Sequence, residues 1–504
     1  MVARLNTVAF EGISTKDIEV QVQLSNGLPA FNIVGLPDKA VAESKERIRS
    51  ALHAIGLSLP SKRITVNLSP ADLHKEGSYF DLPIILGVLI VMEAFPQDAV
   101  EDYITLGELS LDGRIMPING VLPAAIHAVA SNKGLICPEK QQNEALWASN
   151  ELSVLAPTHL MHLINHMKGV QLLSNPKLSI EQATDHSSND NKDFSDVRGQ
   201  ESAKRGLVIA AAGEHNALLS GPPGSGKSML ASRVPTILPE LSTQASLETS
   251  MIHSISKGLD NGQIVRTPPY RDPHHTASTA ALIGGGQRIR PGEISLAHNG
   301  VLFLDELPEF SRQSLEALRQ PLETGSVLVS RVQQQIKFPA QFQLIAAMNP
   351  CKCGYLGDAS RACNKAPKCA QDYQNKISGP MLDRFDLFID VPTIPIHHMA
   401  DAPTGETSAV LKRYVIEARQ RQIHRYKDYS FSTNARAEDK HLENLLRLSE
   451  EARTLLIQAA ERFKLSGRGY KRLLRTSRTL ADLNKKDNID TDHIIEALAF
   501  RAMI

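Results

Sequence analysis

Cysteine is scarce in this 504-residue chain: five residues cannot form the dense disulfide framework of a secreted scaffold. Long apolar runs are also missing, because the longest, Leu82 to Met92, is about half the length needed to cross a bilayer. The first residues, MVARLNTVAFEG, lack the basic region, apolar core and cleavage site of a signal peptide. These absences predict a soluble, cytoplasmic protein without a membrane partner.

Net charge is absent as well, because 55 Lys and Arg residues balance 55 Asp and Glu residues. This balance excludes a surface coated in positive charge, but it leaves local basic patches open. The charge is unevenly distributed: residues 1–178 carry a net −4, residues 179–395 a net −1 and residues 396–504 a net +5. Any contact with nucleic acid is therefore expected to be local.

Three domains and one linker follow from the pattern along the chain. Residues 1–178 mix alternating strand patterns, such as IEVQVQL and ITVNL, with helical ones, and residues 194–395 alternate short apolar strands with helical runs. Such alternation is typical of a parallel sheet with crossover helices, so we predict an α/β fold. The polar stretch 179–193 is predicted to be a linker, and residues 396–504 are predicted to be helical.

The strongest motif is GPPGSGKS, Gly221 to Ser228, which fits the phosphate-binding pattern G-x-x-x-x-G-K-[ST]. An apolar strand pattern, ALLS, precedes the motif, and a helical pattern, MLASRV, follows it. Glycines let backbone amides turn inward around phosphates, and the helix N-terminus adds positive potential. Lys227 is predicted to contact the β- and γ-phosphates and Ser228 to hold Mg²⁺, so ATP and Mg²⁺ are the expected cofactors.

Polar side chains flank three further strand patterns. Asp305 and Glu306 follow VLFL, and we assign Asp305 to the Mg²⁺ shell and Glu306 to activation of the attacking water, although acids often follow buried strands without such a role. Asn349 follows FQLIAA and is predicted to orient that water, with a strand-ending Asn-Pro turn as the alternative. Arg384 precedes another strand and suits stabilisation of a neighbouring subunit's phosphoryl group. The predicted nucleotide-binding residues are Gly221, Pro222, Pro223, Gly224, Ser225, Gly226, Lys227, Ser228 and Asp305.

With these motifs the chain resembles the AAA+ ATPases of the magnesium-chelatase-like and MCM-like branch. The segments GPPGSGKS, VLFLDE, AAMNP and MLDRFDL carry the resemblance, together with DVRGQ at residues 196–200. More narrowly, the chain resembles the ComM (YifB) family over nearly its whole length. The specific segments are PHHTAS at residues 273–278, PGEISLAHNG at residues 291–300 and LDELPEF at residues 304–310.

This resemblance implies an AAA+ core with a helical C-terminal lid, assembled into a homohexameric ring. ATP then binds between subunits and Arg384 acts across the interface. Arg468, in SGRGY, is implied as the arginine that contacts the γ-phosphate within its own chain, with Arg472 as the second choice. The implied function is ATP-driven translocation and branch migration on single-stranded or branched DNA, which promotes DNA integration in natural transformation and homologous recombination. Recombination proteins are further expected partners.

Two basic segments are candidates for contact with DNA. Between Arg462 and Lys486 nine basic side chains accompany a single acid, so Arg472 and Arg475 are predicted phosphate contacts, with a solvated lid helix as the alternative. Residues 326–338 are predicted to form a hairpin, and related motors grip DNA with a hairpin at this place. Arg331 and Lys337 are therefore predicted contacts, although an ordinary surface hairpin explains the pattern equally well.

Residues 1 to about 170 resemble the Lon-type proteolytic domain, which has a ribosomal-S5-like α/β fold. The segments KEGSYFDLP at residues 75–83 and LGELSLDGRIMPI at residues 106–118 carry this resemblance. The positions of the serine nucleophile and the lysine base fall on Tyr79 and Leu122, and Ser78 is one place out of register. Because peptide hydrolysis by this route needs an activated nucleophile, a binding or oligomerising domain without proteolytic activity is implied.

Four of the five cysteines fall within 19 residues, as Cys351, Cys353, Cys363 and Cys369. Such a cluster in a cytosolic protein predicts a structural Zn²⁺ held by four thiolates. The spacing lacks a paired C-x-x-C, so free reduced thiols and a redox switch remain alternatives. His274 and His275 have no assigned role, although loop hydrogen bonding is favoured over metal ligation.

Two other functions remain open. A chelatase-type motor that remodels a metal-insertion partner shares the ATPase core, although a Lon-like N-terminal domain argues against it. An ATP-dependent protease is opposed by Tyr79 and Leu122, which occupy the two catalytic positions.

Overall fold

The computed structural model describes residues 2–177, 192–286, 289–330, 335–356, 363, 365, 367–394 and 405–501. Most of the predicted linker, residues 179–193, lies outside these ranges. None of the described helices is long and apolar enough to span a lipid bilayer.

The N-terminal part is built around a seven-stranded sheet. Its strands are β1 (Val2–Glu11), β2 (Ser14–Ser25), β3 (Ala30–Val34), β4 (Arg63–Ser69), β5 (Tyr103–Thr105), β8 (Gly134–Ile136) and β9 (Val154–Leu155), with the short pair β6 (Glu108–Leu109) and β7 (Ile115–Met116) beside them. The helices are α1 (Lys39–Ala42), α2 (Ser44–Ala54), α3 (Asp81–Val91), α4 (Asp98–Glu101), α5 (Val121–Ala130), α6 (Gln142–Leu146) and α7 (Leu160–Met167). The strand order is β3-β4-β2-β1-β5-β8-β9. The alternation IEVQVQL buries Ile18, Val20 and Val22 against α3, which is buried along its whole length.

The middle part is a five-stranded parallel sheet in the order β11-β14-β17-β10-β18. Its strands are β10 (Ala217–Ser220), β11 (Tyr270–Arg271), β14 (Val301–Leu304), β17 (Gln343–Met348) and β18 (Leu387–Asp390). Two hairpins lie outside the sheet, formed by β12 (Gly284–Gly285) with β13 (Arg290–Pro291) and by β15 (Ser326–Ser330) with β16 (Gln335–Pro339). The helices are α8 (Glu201–Gly213), α9 (Lys227–Ala231), α10 (Val234–Ile237), α11 (Thr243–Lys257), α12 (Thr279–Ile283), α13 (Glu293–Leu296), α14 (Arg312–Ala317), α15 (Arg319–Thr324), α16 (Lys368–Gln374) and α17 (Gly379–Leu382).

The C-terminal part is helical over its described residues. Its helices are α18 (Ser408–Arg425), α19 (Asp439–Leu445), α20 (Glu450–Arg462), α21 (Gly467–Leu483) and α22 (Thr491–Ala499). Consecutive residues of β10 face two apolar cores on opposite sides of the sheet. Leu219 packs with the C-terminal helices, and Leu218 packs on the other face. The predicted α/β fold, with a P-loop core and a helical C-terminal part, is confirmed.

Two carboxylates join neighbouring parts of the chain. Glu144 of α6 accepts hydrogen bonds from Leu122 N and from Ser254 Oγ of α11, the latter at 2.5 Å. Glu214, directly after α8, pairs with Arg436 through two contacts of 2.6 and 2.7 Å. Hydrogen bonds therefore join α6 to α11, and an ion pair joins the end of α8 to the C-terminal part.

Candidate nucleotide-binding site

The motif GPPGSGKS folds as a strand, a loop and a helix, in the order that phosphate binding requires. β10 ends at Ser220, and α9 begins at Lys227. Gly224 and Gly226 have φ angles of +77° and +94°, which glycine adopts without the steric penalty of a side chain. A Cβ atom on Gly221 would collide with the Val391 carbonyl. Glycine is therefore needed at each of these three positions.

Lys227 is the cation at the centre of the loop. Its ammonium group donates to Gly221 O at 2.8 Å, to Pro222 O at 2.9 Å and to Asn349 Oδ1 at 3.2 Å. The side chain is only 8% exposed. Burial lowers the pKa of Lys227, while the negative charges of Asp305 and Glu306 act in the opposite direction. Both the lysine and its acidic neighbours thus face one site.

The carboxyl ends of three neighbouring strands bring the polar residues together. Asp305 follows β14, Asn349 follows β17 and the phosphate loop follows β10, and these strands are adjacent in the sheet. Ser228 Oγ donates to Asp305 Oδ2 at 2.6 Å. A hydroxyl and a carboxylate at this separation are oxygen ligands of the kind that Mg²⁺ prefers beside nucleotide phosphates.

Glu306 lies at the same edge, with its backbone in the left-handed region at a φ angle of +51°. Its amide donates to Asp305 Oδ1 at 2.9 Å, and its side chain is about half exposed. His275 Nδ1 lies 3.6 Å from Glu306 Oε2. The sequence left the role of His275 open. In the structure His275 follows β11, and this position brings it to the same edge.

Arg384 lies at the opposite edge of the sheet. It precedes β18, whose residues Leu387 and Asp390 pair with Ala217 and Ser220 of β10. The phosphate loop follows the other end of β10, so the length of a four-residue strand, about 13 Å, separates Arg384 from the phosphate loop. Arg384 pairs with Glu323 and does not join the phosphate-binding residues of its own chain.

Arg468 and its alternative Arg472 share that edge with Arg384, which corrects the prediction that one of them contacts the phosphate in its own chain. Arg472 donates to Phe385 O at 2.8 Å and to Asp383 Oδ1 at 3.0 Å, both just before β18. Arg468 lies one turn earlier on α21 and lines a cavity of about 690 Å³ with Arg384. The sequence pattern located the helix, but packing against the amino-terminal edge turned it away from the loop.

Several basic side chains of α21 have acidic partners within the chain, among them Arg472 and Arg475, the two predicted DNA contacts. Arg475 donates to Ala437 O and to Asp439, and its side chain is 17% exposed. Arg478 is buried against Asp482. These arginines tie α21 to its neighbours, whereas Arg468 near its N-terminus is exposed.

The predicted hairpin at residues 326–338 is confirmed as β15 and β16. Val327, Val329 and Phe338 are buried, while Leu328 and its cross-strand partner Lys337 are exposed. Lys337 therefore remains accessible for a charged ligand. Arg331 lies outside the described residues.

The cysteine cluster lies against the phosphate loop. Cys351 Sγ is 3.1 Å from Cys353 Sγ, and Cys363 Sγ is 3.3 Å from Cys369 Sγ. The sulfurs of Cys351, Cys353 and Cys369 all lie within 4.8 Å of one another, and a tetrahedral zinc site places sulfurs about 3.8 Å apart. The donor set therefore fits Zn²⁺.

One glycine joins this cluster to the nucleotide site. Gly354 has a φ angle of +84°, and a Cβ atom there would lie 2.5 Å from Pro223 Cδ. The loop that carries Cys351 and Cys353 thus packs directly on the phosphate loop, so the shape of one depends on the other.

The N-terminal positions that correspond to a protease dyad are occupied by buried apolar packing. Tyr79 is 8% exposed and its ring lies 5.4 Å from that of Phe10, while Leu122 is fully buried. Ser78 donates to Glu108, and the buried Lys75 donates to the Pro70 carbonyl. Tyr79 and Leu122 thus provide neither a nucleophile nor a base.

Comparison with known proteins agrees with this geometry. Family models described as magnesium chelatase, subunit ChlI, as subunit ChlI of Mg-chelatase and as the ChlI C-terminal region match residues 193–399, 20–141 and 405–501. The second match lies within the N-terminal part of the chain.

Two relatives match over almost the full length. The competence protein ComM of Haemophilus influenzae is 42% identical over 499 residues, which cover 98% of this chain and 96% of that protein. The protein YifB of Escherichia coli is 41% identical over 503 residues, 99% of this chain and 97% of that protein. The chain therefore belongs to the ComM and YifB family of magnesium-chelatase-like AAA+ proteins.

Proposed function

We propose that the protein is an ATP-dependent DNA motor, a branch-migration helicase or translocase that promotes DNA integration in natural transformation and homologous recombination. The observation that carries the ATPase part is the convergence of Lys227, Ser228, Asp305, Glu306 and Asn349 at one sheet edge. ATP and Mg²⁺ fit this site: the loop amides and Lys227 bind phosphates, and Ser228 with Asp305 binds the cation. The role in competence rests on similarity to ComM of H. influenzae.

Within one chain, the phosphate-binding residues and the two arginines lie at opposite edges of the sheet, and this arrangement supports a ring. Arg384 and Arg468 lie at the sheet edge opposite the phosphate loop, so a second subunit must bring its arginines to this nucleotide. Heterologous contacts of this kind close into rings, and a homohexamer is the family's implied state. Arginines supplied in trans stabilise charge on the transferring phosphoryl group.

DNA is the proposed substrate of the motor, and Lys337 on β16 is the candidate contact that is exposed and has no acidic partner among the described residues. Contact is expected to be local, because the chain carries no net charge. Recombination proteins are proposed as partners.

The decisive experiment measures ATP hydrolysis by the purified full-length chain with and without forked or single-stranded DNA. We expect DNA to raise turnover several-fold and to promote rings, with Glu306→Gln reducing hydrolysis to a small residual rate while retaining ATP-bound assemblies. Turnover and assembly that ignore both DNA substrates would contradict the DNA-motor proposal.

A chelatase-type motor is the second candidate, because three family models that name the ChlI subunit match this chain. It predicts ATP hydrolysis that responds to a metal-insertion protein and is indifferent to DNA, so the same assay separates the two. An ATP-dependent protease is disfavoured by the buried Tyr79 and Leu122.

We further propose that Cys351, Cys353, Cys363 and Cys369 hold a structural Zn²⁺. The support is the clustering of their sulfurs and the fit to a four-thiolate donor set. Bound zinc would cross-link the loop that packs on Pro223.

A further inference from the structure

The paired histidines of PHHTAS lie at the catalytic edge of the sheet. β11 ends at Arg271 and runs parallel to β14, so the residues that follow each strand emerge side by side. His275 consequently reaches the end of β14, and its Nδ1 lies 3.6 Å from Glu306 Oε2. This contact joins a motif without an assigned role to the proposed base.

His275 is held from several sides. The ring of His274 lies 4.1 Å from it, and the ring of Phe310 meets it edge-on at 6.4 Å. His274 is itself fixed, since its Nδ1 lies 2.8 Å from Thr276 Oγ1. The His275 side chain is 30% exposed, so its orientation is set by packing.

Glu306, in contrast, needs an external partner to define its side chain. It is about half exposed and stands on a left-handed backbone at the end of the strand. A long exposed side chain samples several rotamers, whereas activation of water demands one. A carboxylate has two oxygens, so a histidine can hold one while the other accepts the proton of water.

We propose that His275 is a positioning residue that fixes the carboxylate of Glu306 during ATP hydrolysis. The inference rests on the proposed ATPase activity and adds a group that acts through Glu306. The present separation of 3.6 Å is longer than a hydrogen bond, and contacts of this kind tighten when substrate binds.

The geometry specifies which replacement preserves the contact. Nδ1 of His275 is one bond from Cγ, and the amide nitrogen of asparagine occupies the same place. Glutamine carries its nitrogen one bond further out, near the position of Nε2. His275→Asn therefore keeps the donor to Glu306, whereas His275→Gln and His275→Ala lose it.

The test is steady-state ATP hydrolysis by the full-length chain with forked DNA. We expect His275→Ala to lower kcat by about 10- to 100-fold and to change KM less than about two-fold, since the contact acts on the chemical step. We expect His275→Asn to recover most of that loss and His275→Gln to recover little. His162→Ala, at an exposed histidine of α7, serves as the matched control and keeps wild-type kinetics.

A double variant distinguishes positioning of Glu306 from a general structural role. In the Glu306→Gln background, residual turnover should not fall further when His275 is replaced, because the two residues act as one unit. An additive loss, equal effects on kcat and nucleotide affinity, or better recovery by His275→Gln than by His275→Asn would each overturn the proposal. A wild-type chain that hydrolyses no ATP overturns the proposed function itself, whereas full activity in His275→Ala overturns this inference alone.

Discussion

Ser228 Oγ and Asp305 Oδ2 are joined by a 2.6 Å hydrogen bond although 77 residues separate them in the chain. The bond forms because β10 and β14 lie on either side of β17 in the parallel sheet, so their carboxyl ends meet at the same edge. Together these two oxygens form one side of the proposed Mg²⁺ site.

Replacing Asp305 by Asn should weaken the binding of Mg²⁺ at this site. Asparagine keeps an oxygen for Ser228 but removes the negative charge, so we expect kcat to fall about 100-fold and the Mg²⁺ concentration for half-maximal rate to rise. The measurement is ATP turnover across a Mg²⁺ titration. Asp428→Asn, at an exposed residue, is the control. An unchanged Mg²⁺ titration in Asp305→Asn would remove Asp305 from the metal shell.

Mixed rings test whether Arg384 acts across subunits. Arg384→Ala and Lys227→Ala should each lose hydrolysis by about 1,000-fold or more, because one lacks the arginine and the other lacks the phosphate-binding cation. Equal mixing should restore activity at about a quarter of interfaces, where an intact loop meets an intact arginine. Turnover of the mixture against each variant alone is the measurement. If mixing restores nothing, Arg384 does not act in trans.

Removal of two thiols tests the proposed zinc site. Cys351→Ser with Cys353→Ser should abolish bound zinc, because two thiolates cannot close a tetrahedral structural site. Elemental analysis of the purified chain gives the stoichiometry. Cys137→Ala is the control, since Cys137 is buried outside the cluster.

The same double variant should also raise KM for ATP. Gly354 packs on Pro223, so a loosened cysteine loop no longer supports the phosphate loop. Zinc content equal to that of the wild type would refute the site, and an unchanged KM would refute the coupling.

Glu214→Gln should destabilise the junction between the sheet and the C-terminal helices by about 3 kcal/mol, because it leaves Arg436 without its charged partner. Burial raises the pKa of Glu214, but Arg436, together with Arg419 and Thr433, outweighs burial and lowers it from 4.5 to about 2. The charged pair therefore stabilises the fold fully above pH 4.5, and this contribution disappears as the pH falls toward 2.

Thermal unfolding from pH 7 to pH 3 checks this prediction. The difference in Tm between wild type and Glu214→Gln should be largest near neutrality and should shrink on acidification. Glu93→Gln, at an exposed loop position, provides the comparison. A difference that stays constant with pH would show that the charge of Glu214 does not contribute.

Local patterns were sufficient for much of the fold. The alternation in IEVQVQL predicted the strand that became β2, and ITVNL predicted β4, because a half-buried strand repeats every second residue. The pattern G-x-x-x-x-G-K-[ST] predicted the loop between β10 and α9, since the glycines are required by the backbone turn itself. These features depend on neighbouring residues in the chain.

Contacts between distant segments could not be predicted from the local patterns. The basic run around Arg472 and Arg475 was interpreted as a DNA-binding or solvated face, yet both side chains are committed to partners on other elements. Charge along a helix does not show which face packs, and the acids that neutralise it, such as Asp383 and Asp439, lie at least 32 residues away.

The sequence by itself determined the phosphate loop, the acids that follow β14 and the loss of a protease dyad at Tyr79 and Leu122, because each depends on residue type within a short segment. Tertiary structure alone decided that His275 meets Glu306 and that Arg468 lies at the edge opposite Lys227. The physical reason is strand order: a parallel sheet gathers the residues after its strands at one edge and those before them at the other.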